Sequence, residues 1–349
     1  MVMVLGTAYG DHWRRVGEPK PGSEGTSVIH TRQLRKQFRS KKETVDAVKG
    51  VDIDVDPGEL VAFLGPNGAG KTTTLRMLTT LLPPTSGTAE VAGADIVAQP
   101  ALVRSRIGYI GQGNGGGHSF RVLDELHSQG RFYGLPAEQT RKRAAELVAS
   151  LDLTGLEKRT VGSLSGGQRR RLDVALGLMN SPKLLFLDEP STGMDPQNRA
   201  NLWAHIRALR AELGTTIVLT THYLEEADAE AERVVVIDHG EIIADDTAAA
   251  LKSNLAGDLV TVVVDGSEVE PTRAALGLRG VEVGEAVDPL GVAVSGRFDQ
   301  GRQLLPMLLR ELDASGIEVR AADVRVPTLD DVFLSLTGRS LREDVEVAA

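Results

Sequence analysis

Eight consecutive residues, Gly65-Pro66-Asn67-Gly68-Ala69-Gly70-Lys71-Thr72, fit the pattern GxxxxGK[ST]. Glycines let successive backbone N–H groups turn inward on an anion, and Lys71 adds a full positive charge. The Thr72 hydroxyl is a hard oxygen ligand suited to Mg²⁺. Together they read as a cradle for the β- and γ-phosphates of a nucleoside triphosphate. The plainer reading is a glycine turn with an incidental lysine. Five further groups follow in order: Gln112, Leu164-Ser165-Gly166-Gly167-Gln168, Asp188-Glu189, Ser191-Thr192-Gly193-Met194-Asp195, and His222. Taken singly, each has an ordinary reading: polar surface, a turn, a solvated acid pair, a structural histidine.

The flanking elements decide between the readings of the glycine loop. Leu60-Val61-Ala62-Phe63-Leu64 reads as a buried strand, and Thr73-Thr74-Leu75-Arg76-Met77-Leu78 as a helix. A strand–loop–helix unit aims the partial positive end of the helix at the bound anion. Leu184-Leu185-Phe186-Leu187 is an apolar strand that ends on Asp188-Glu189, and Thr216 to Thr221 is a strand that ends on His222. Arg106 to Ile110 places Gln112 just past another strand, and Arg169 to Met179 forms a helix behind the Ser165 turn. Val234 to Asp238 and Glu241 to Ile243 pair as a hairpin across His239-Gly240.

Length and composition bound the rest. The chain has 349 residues, enough for two domains and a large core. Net charge is −9, and the one basic cluster, Arg32 to Lys42, reads as a solvated face, so a nucleic-acid partner is not expected. There is no cysteine, which removes disulfides and thiolate metal sites and fits a reducing compartment. No apolar run approaches the length of a bilayer span, so any membrane role falls to another chain. Residues 1–27 and 341–349 read as tails, the first expected to be mobile. Residues of about 113–163 read as a helical insertion that opens with Gly113-Asn114-Gly115-Gly116-Gly117. After about 249 the order β-α-β-β-α-β suggests a small ferredoxin-like α+β module reaching to about 340.

In this order, with the phosphate loop, the five groups resemble the nucleotide-binding domain of ATP-binding cassette (ABC) proteins over about residues 28–245, which puts the ATP-binding domain at 28–248. The resemblance implies a P-loop NTPase fold: an α/β core, an antiparallel β subdomain and a helical subdomain. It implies ATP and Mg²⁺ as ligands. Gly65 to Thr72 and Thr73 would hold the phosphates, with Thr72, Gln112 and Asp188 on the metal. Glu189 resembles the general base and His222 the switch histidine; Gln112 resembles the γ-phosphate sensor, and Lys71 completes the catalytic set. Ser165, Gly166, Gly167 and Gln168 would face the γ-phosphate bound by a second copy, in a head-to-tail dimer, and Asp195 would touch across that interface. Phe38 stands where the family often keeps an aromatic that stacks on adenine; a buried core phenylalanine is the competing reading.

The ending Val326-Pro327-Thr328-Leu329-Asp330-Asp331-Val332-Phe333-Leu334-Ser335-Leu336-Thr337-Gly338 is similar to that of daunorubicin-resistance-type ATPases, which serve ABC-2-type exporters. Leu329, Val332, Phe333 and Leu336 also read simply as an amphipathic helix. The resemblance implies an ATPase on the cytoplasmic face of the membrane, paired with a separate permease for a drug, antibiotic or lipid-like substrate, with the 113–163 insertion as docking surface. The alternatives are a soluble ABC ATPase acting on ribosome or DNA, and an importer ATPase. The single cassette and the absence of a heptad run disfavour the first, and the ending disfavours the second.

Overall fold

The computed structural model describes residues 27–39, 44–113, 115–255, 257–277, 283–298 and 300–341. The two expected tails, apart from Ser27 and Leu341, lie outside these residues, as do Asn114 of the glycine run and Ser40 to Lys42 of the basic cluster. The strands are β1 (Ile29–Arg39), β2 (Thr44–Val55), β3 (Leu60–Leu64), β4 (Ser86–Val91), β5 (Ala94–Asp95), β6 (Ile107–Ile110), β7 (Leu184–Asp188), β8 (Thr216–Thr221), β9 (Arg233–Asp238), β10 (Glu241–Asp246), β11 (Asp258–Val264), β12 (Val283–Asp288), β13 (Gly291–Phe298) and β14 (Ala321–Arg325). The helices are α1 (Lys71–Leu78), α2 (Pro100–Arg106), α3 (Val122–Phe132), α4 (Ala137–Ser150), α5 (Gly166–Gly177), α6 (Pro196–Leu213), α7 (Leu224–Glu230), α8 (Ala248–Leu255), α9 (Val269–Gly277), α10 (Gly301–Ala314) and α11 (Leu329–Thr337).

The chain divides into two compact units. Of the described residues, those up to Leu60, Gly68–Thr220 and Ile237–Ile243 form one; Val61–Asn67, Thr221–Val236 and those from Ala244 onward form the other. In the first, β2-β1-β4-β5 make an antiparallel sheet. Its main pair is bulged between Thr31 and Leu34, and there the buried Thr31 hydroxyl donates to the Val51 carbonyl and accepts from Ile53 N–H. The parallel strands β6, β7 and β8 pair in register, Ile110 beside Leu187 and Asp188 beside Thr220. All five residues of β7 are buried, as a parallel strand covered on both faces requires. Helix α1 packs against β7 and β2. The expected helical insertion contains α3 and α4, which pack on each other and on α5 through Leu126, Ala144, Leu147 and neighbours.

In the second unit β3 and β9 pair in parallel, Val61 beside Arg233 through Leu64 beside Val236. Its C-terminal part has the sheet order β12-β13-β11-β14, every neighbour antiparallel, with α9 and α10 as the two crossovers. That is the split β-α-β arrangement of a ferredoxin-like module. Val260, Val262 and Val264, alternating on β11, meet Leu308 and Leu312 of α10 in its core. Helix α11 starts with a capping box between Thr328 and Asp331 and packs against α7 and α8.

Candidate active site

Parallel pairing brings the carboxyl ends of β6, β7 and β8 to one edge, and open α/β sheets use that edge for ligands. Gln112 lies two residues beyond β6, Asp188 ends β7, Glu189 follows it, and Thr220 is the next-to-last residue of β8. The other component is the start of α1. Gly70 has φ +104°, and a Cβ there would stand 2.5 Å from the Ala47 carbonyl oxygen, so only glycine lets the loop pass β2 this closely. Gly240 N–H then ties the Ala69 carbonyl at 2.9 Å. Gly65, Pro66 and Asn67 lead into this turn directly from β3.

The side chains converge on Asp188. Thr72 Oγ1 donates to Asp188 Oδ1 at 2.8 Å, and Gln112 Nε2 donates to Thr72 Oγ1 at 3.3 Å. Thr220 Oγ1 donates to the same Oδ1 at 2.7 Å. Asp188 is fully buried, yet among the described residues its Oδ2 has no hydrogen-bond partner. A buried carboxylate oxygen left this way costs free energy unless something binds it. Lys71 is almost wholly buried; desolvation holds its ammonium below the usual lysine range, against the pull of the Glu189 and Asp188 carboxylates.

Glu189 has φ +48°, unusual for a residue with a Cβ. Its N–H donates to Thr220 Oγ1 at 3.0 Å and to the Thr220 carbonyl at 3.1 Å, and Thr192 Oγ1 donates to its Oε2 at 3.1 Å. Burial, then the nearby Asp188 charge, push the Tyr109 phenol on β6 above its ordinary range, while its bond with Arg76 opposes them. Thr73 is the third residue of this cradle to lie on α1.

A second group forms where α5 and α6 begin. Ser165 Oγ accepts from Gln168 N–H at 3.3 Å while Gln168 Oε1 accepts from Ser165 N–H at 3.0 Å, a capping box. A Cβ on Gly167 would meet Asn198 Oδ1 at 2.5 Å, so the second glycine is what lets α6 approach. Asp195 caps α6 by accepting from Asn198 N–H and Nδ2, and those bonds hold its carboxyl below the usual range. Ser165 and Gly166 stay exposed around this box, and Gln168 is half-buried. His222 comes one residue after β8, its ring tilted 40° against Tyr223 at 4.2 Å. Phe38 is 45% exposed, which excludes the core reading; Lys36 Nζ stands 5.3 Å over its ring.

Thr220, Tyr109 and Arg170 were not singled out from the sequence. Thr220 had a usable signal, because a hydroxyl in a fully buried strand must find a partner.

A glycine cradle whose lysine and threonine meet a strand-end Asp-Glu pair defines a P-loop ATPase. The family model described as "ABC transporter" matches residues 48–192. The chain is 41% identical over 318 residues to a daunorubicin/doxorubicin resistance ATP-binding protein of Streptomyces peucetius, covering 90% of this chain and 94% of that one. It is 37% identical over 319 residues to a Nod factor export ATP-binding protein I of Cupriavidus metallidurans, covering 91% and 100%. Among solved structures it is similar to the dimeric post-hydrolysis cassette MJ0796 bound to ADP and Pi, with TM-score 0.58 and 25% identity over 63% of this chain and 98% of that one. The chain belongs to the ATP-binding subunits of ABC transporters, in the drug-resistance-type group: it binds ATP and is an ATPase.

Proposed function

We propose that two copies of this chain close on two molecules of ATP, and that closing and reopening drive an ABC-2-type permease on another chain to export a drug, antibiotic or lipid-like compound. The observation that carries this is the meeting of Thr72 with the buried Asp188, with Gln112 bonded to Thr72 and Lys71 drawn by the Glu189 and Asp188 carboxylates. Likeness to a drug-resistance subunit across 90% of the chain supports the export reading.

Phosphoryl transfer to water needs little covalent help, so the residues act by position and charge. Gly65, Pro66, Asn67, Gly68, Ala69 and Gly70 present backbone N–H groups to the phosphates, Lys71 neutralises them, and Thr73 extends the cradle along α1. Glu189 orients and deprotonates the attacking water. Gln112 and His222 report on the γ-phosphate. Ser165, Gly166, Gly167 and Gln168 of one copy face the nucleotide of the other, Asp195 links the two, and Phe38 stacks on adenine.

Among the described residues no three His, Cys, Asp or Glu side chains gather to hold a metal alone. Mg²⁺ does not require this, since it is commonly held by one carboxylate plus substrate phosphates. The partnerless Asp188 Oδ2, the Thr72 hydroxyl and the Gln112 amide are the oxygen donors it favours. When bound, Mg²⁺ would neutralise charge on the phosphates.

Residues 28–248 form the nucleotide domain in this reading and 249–340 an accessory module. No described helix is long and apolar enough to cross a membrane. Likeness to exporter ATP-binding subunits supports a place at the cytoplasmic face, held by the permease. Isolation from membranes in mild detergent tests this. A co-purifying polytopic membrane protein is expected; ribosomes or DNA in its place would overturn the export reading.

A further inference from the structure

Arg170 sits one turn into α5, 8% exposed, beside Asp173, 4% exposed. Its guanidinium is a planar fork of five donors, able to hold two acceptors in fixed relation. Nη1 donates to the Gly111 carbonyl at 2.7 Å and Nε to the Pro190 carbonyl at 2.7 Å, with Nη2 at 3.5 Å from the Glu189 carbonyl. Gly111 immediately precedes Gln112, and Pro190 immediately follows Glu189. One side chain therefore grips the backbone next to both residues that the proposed mechanism sets around the γ-phosphate. Asp173 balances the buried charge, with Oδ2 3.8 Å from Nη1, and its Oδ1 accepts from Gly115 N–H at 2.9 Å, three residues past Gln112.

The grip has work to do at Glu189. A non-glycine residue at φ +48° persists only when its surroundings over-determine it. The Thr220 contacts fix its N–H side, and Arg170 fixes its carbonyl side. Because Arg170 rides on α5, whose first turn is the Ser165 capping box, the same helix carries the proposed contact to the second copy's nucleotide.

We propose that Arg170 is a positioning residue, with Asp173 as its counter-ion: it sets the Gln112 and Glu189 backbones together and couples their placement to the Ser165 end of α5. This rests on the roles assigned above to Glu189 and Gln112. It goes beyond them by identifying what holds both in place and what makes each site sense the other copy.

The test is steady-state ATP turnover of the full chain as Arg170→Met, Arg170→Lys and, separately, Glu189→Gln, each checked for thermal unfolding. A misplacement of catalytic groups by about 1 Å costs up to roughly 100-fold in rate. Arg170→Met should accordingly lower kcat about tenfold or more, with KM for ATP changing less than about twofold. Arg170→Lys keeps the charge facing Asp173, and so the fold, but engages one carbonyl in place of two. Its kcat should fall between Arg170→Met and the unaltered chain at an unchanged unfolding temperature. An Arg170→Lys protein with full kcat overturns the inference, as does a folded Arg170→Met protein with full kcat. If Glu189→Gln itself turns over normally, the underlying assignment of the base fails instead, whatever the arginine variants do.

Discussion

Asp188 and Asp331 are both buried aspartates with threonine partners, and they are finished in opposite ways. Asp331, at the start of α11, uses both oxygens: Oδ2 accepts from Thr328 N–H at 2.9 Å and Thr328 Oγ1 at 2.7 Å, and Oδ1 from Arg325 at 3.0 Å. Burial raises its carboxyl, but the Thr328 bonds and the Arg325 and Arg297 charges win and hold it below the usual range. Asp188 loads one oxygen with two hydroxyls and leaves the other, in full burial, with no partner among the described residues. A carboxylate completed by its own chain is part of the architecture, whereas the incomplete one at Asp188, beside the phosphate loop, suits the metal-holding role proposed above.

That contrast can be broken at several points. The largest effect is expected at Glu189, next to the incomplete carboxylate. Glu189→Gln should reduce turnover by about 100-fold or more while ATP still binds, as measured by phosphate release and nucleotide titration. Turnover within a few-fold of the unaltered chain would remove Glu189 as the base. Lys71→Ala should weaken ATP binding by about tenfold or more, the scale of a lost charge-assisted hydrogen bond, read by calorimetry.

The two aspartates themselves should then separate. Asp188→Asn should leave the nucleotide-free protein about as stable as before but abolish the rise in unfolding temperature on adding ATP with Mg²⁺. Asp331→Ala should do the reverse, costing about 1–3 kcal/mol in urea unfolding through a lost cap and ion pairs, with turnover per folded molecule unchanged. The pH dependence has a definite sign. A carboxyl held low in the folded chain stabilises it fully above the unfolded-state range, and loses that effect as pH falls through the folded value. The deficit of Asp331→Ala should therefore shrink on acidification. The smallest effect is at Phe38: Phe38→Ala should raise KM for ATP roughly two- to tenfold, the scale of one aromatic stack.

The sequence made the phosphate loop legible because its constraint is local: a buried strand, glycines at fixed offsets, a lysine and a helix lie within twenty residues. Strand β7 was equally plain from its continuous apolar run, and β8 from Ile217-Val218-Leu219 set among β-branched threonines. Helices α2, α7 and α8, of seven or eight residues each, gave no period to read. In α10 the amphipathic stripe overrode Pro306, which lies in the second turn and does not end the helix. At the site, the motif residues were legible but their supports were not. Arg170 and Asp173 look like surface charges in the run Arg169-Arg170-Arg171-Leu172-Asp173, and only the tertiary fold buries them. Thr220 becomes a partner of Asp188 only through strand register, which pairs residues 32 positions apart.

The central claim is that each nucleotide pocket is completed by a second copy. Light scattering of the Glu189→Gln protein measures it directly, with and without ATP and Mg²⁺, alongside the same protein carrying Ser165→Arg. The account predicts that molar mass doubles on adding nucleotide, and that Ser165→Arg prevents the doubling while ATP still binds. A Glu189→Gln protein that keeps the mass of one copy at saturating nucleotide, or a Ser165→Arg form that dimerises normally, would contradict it.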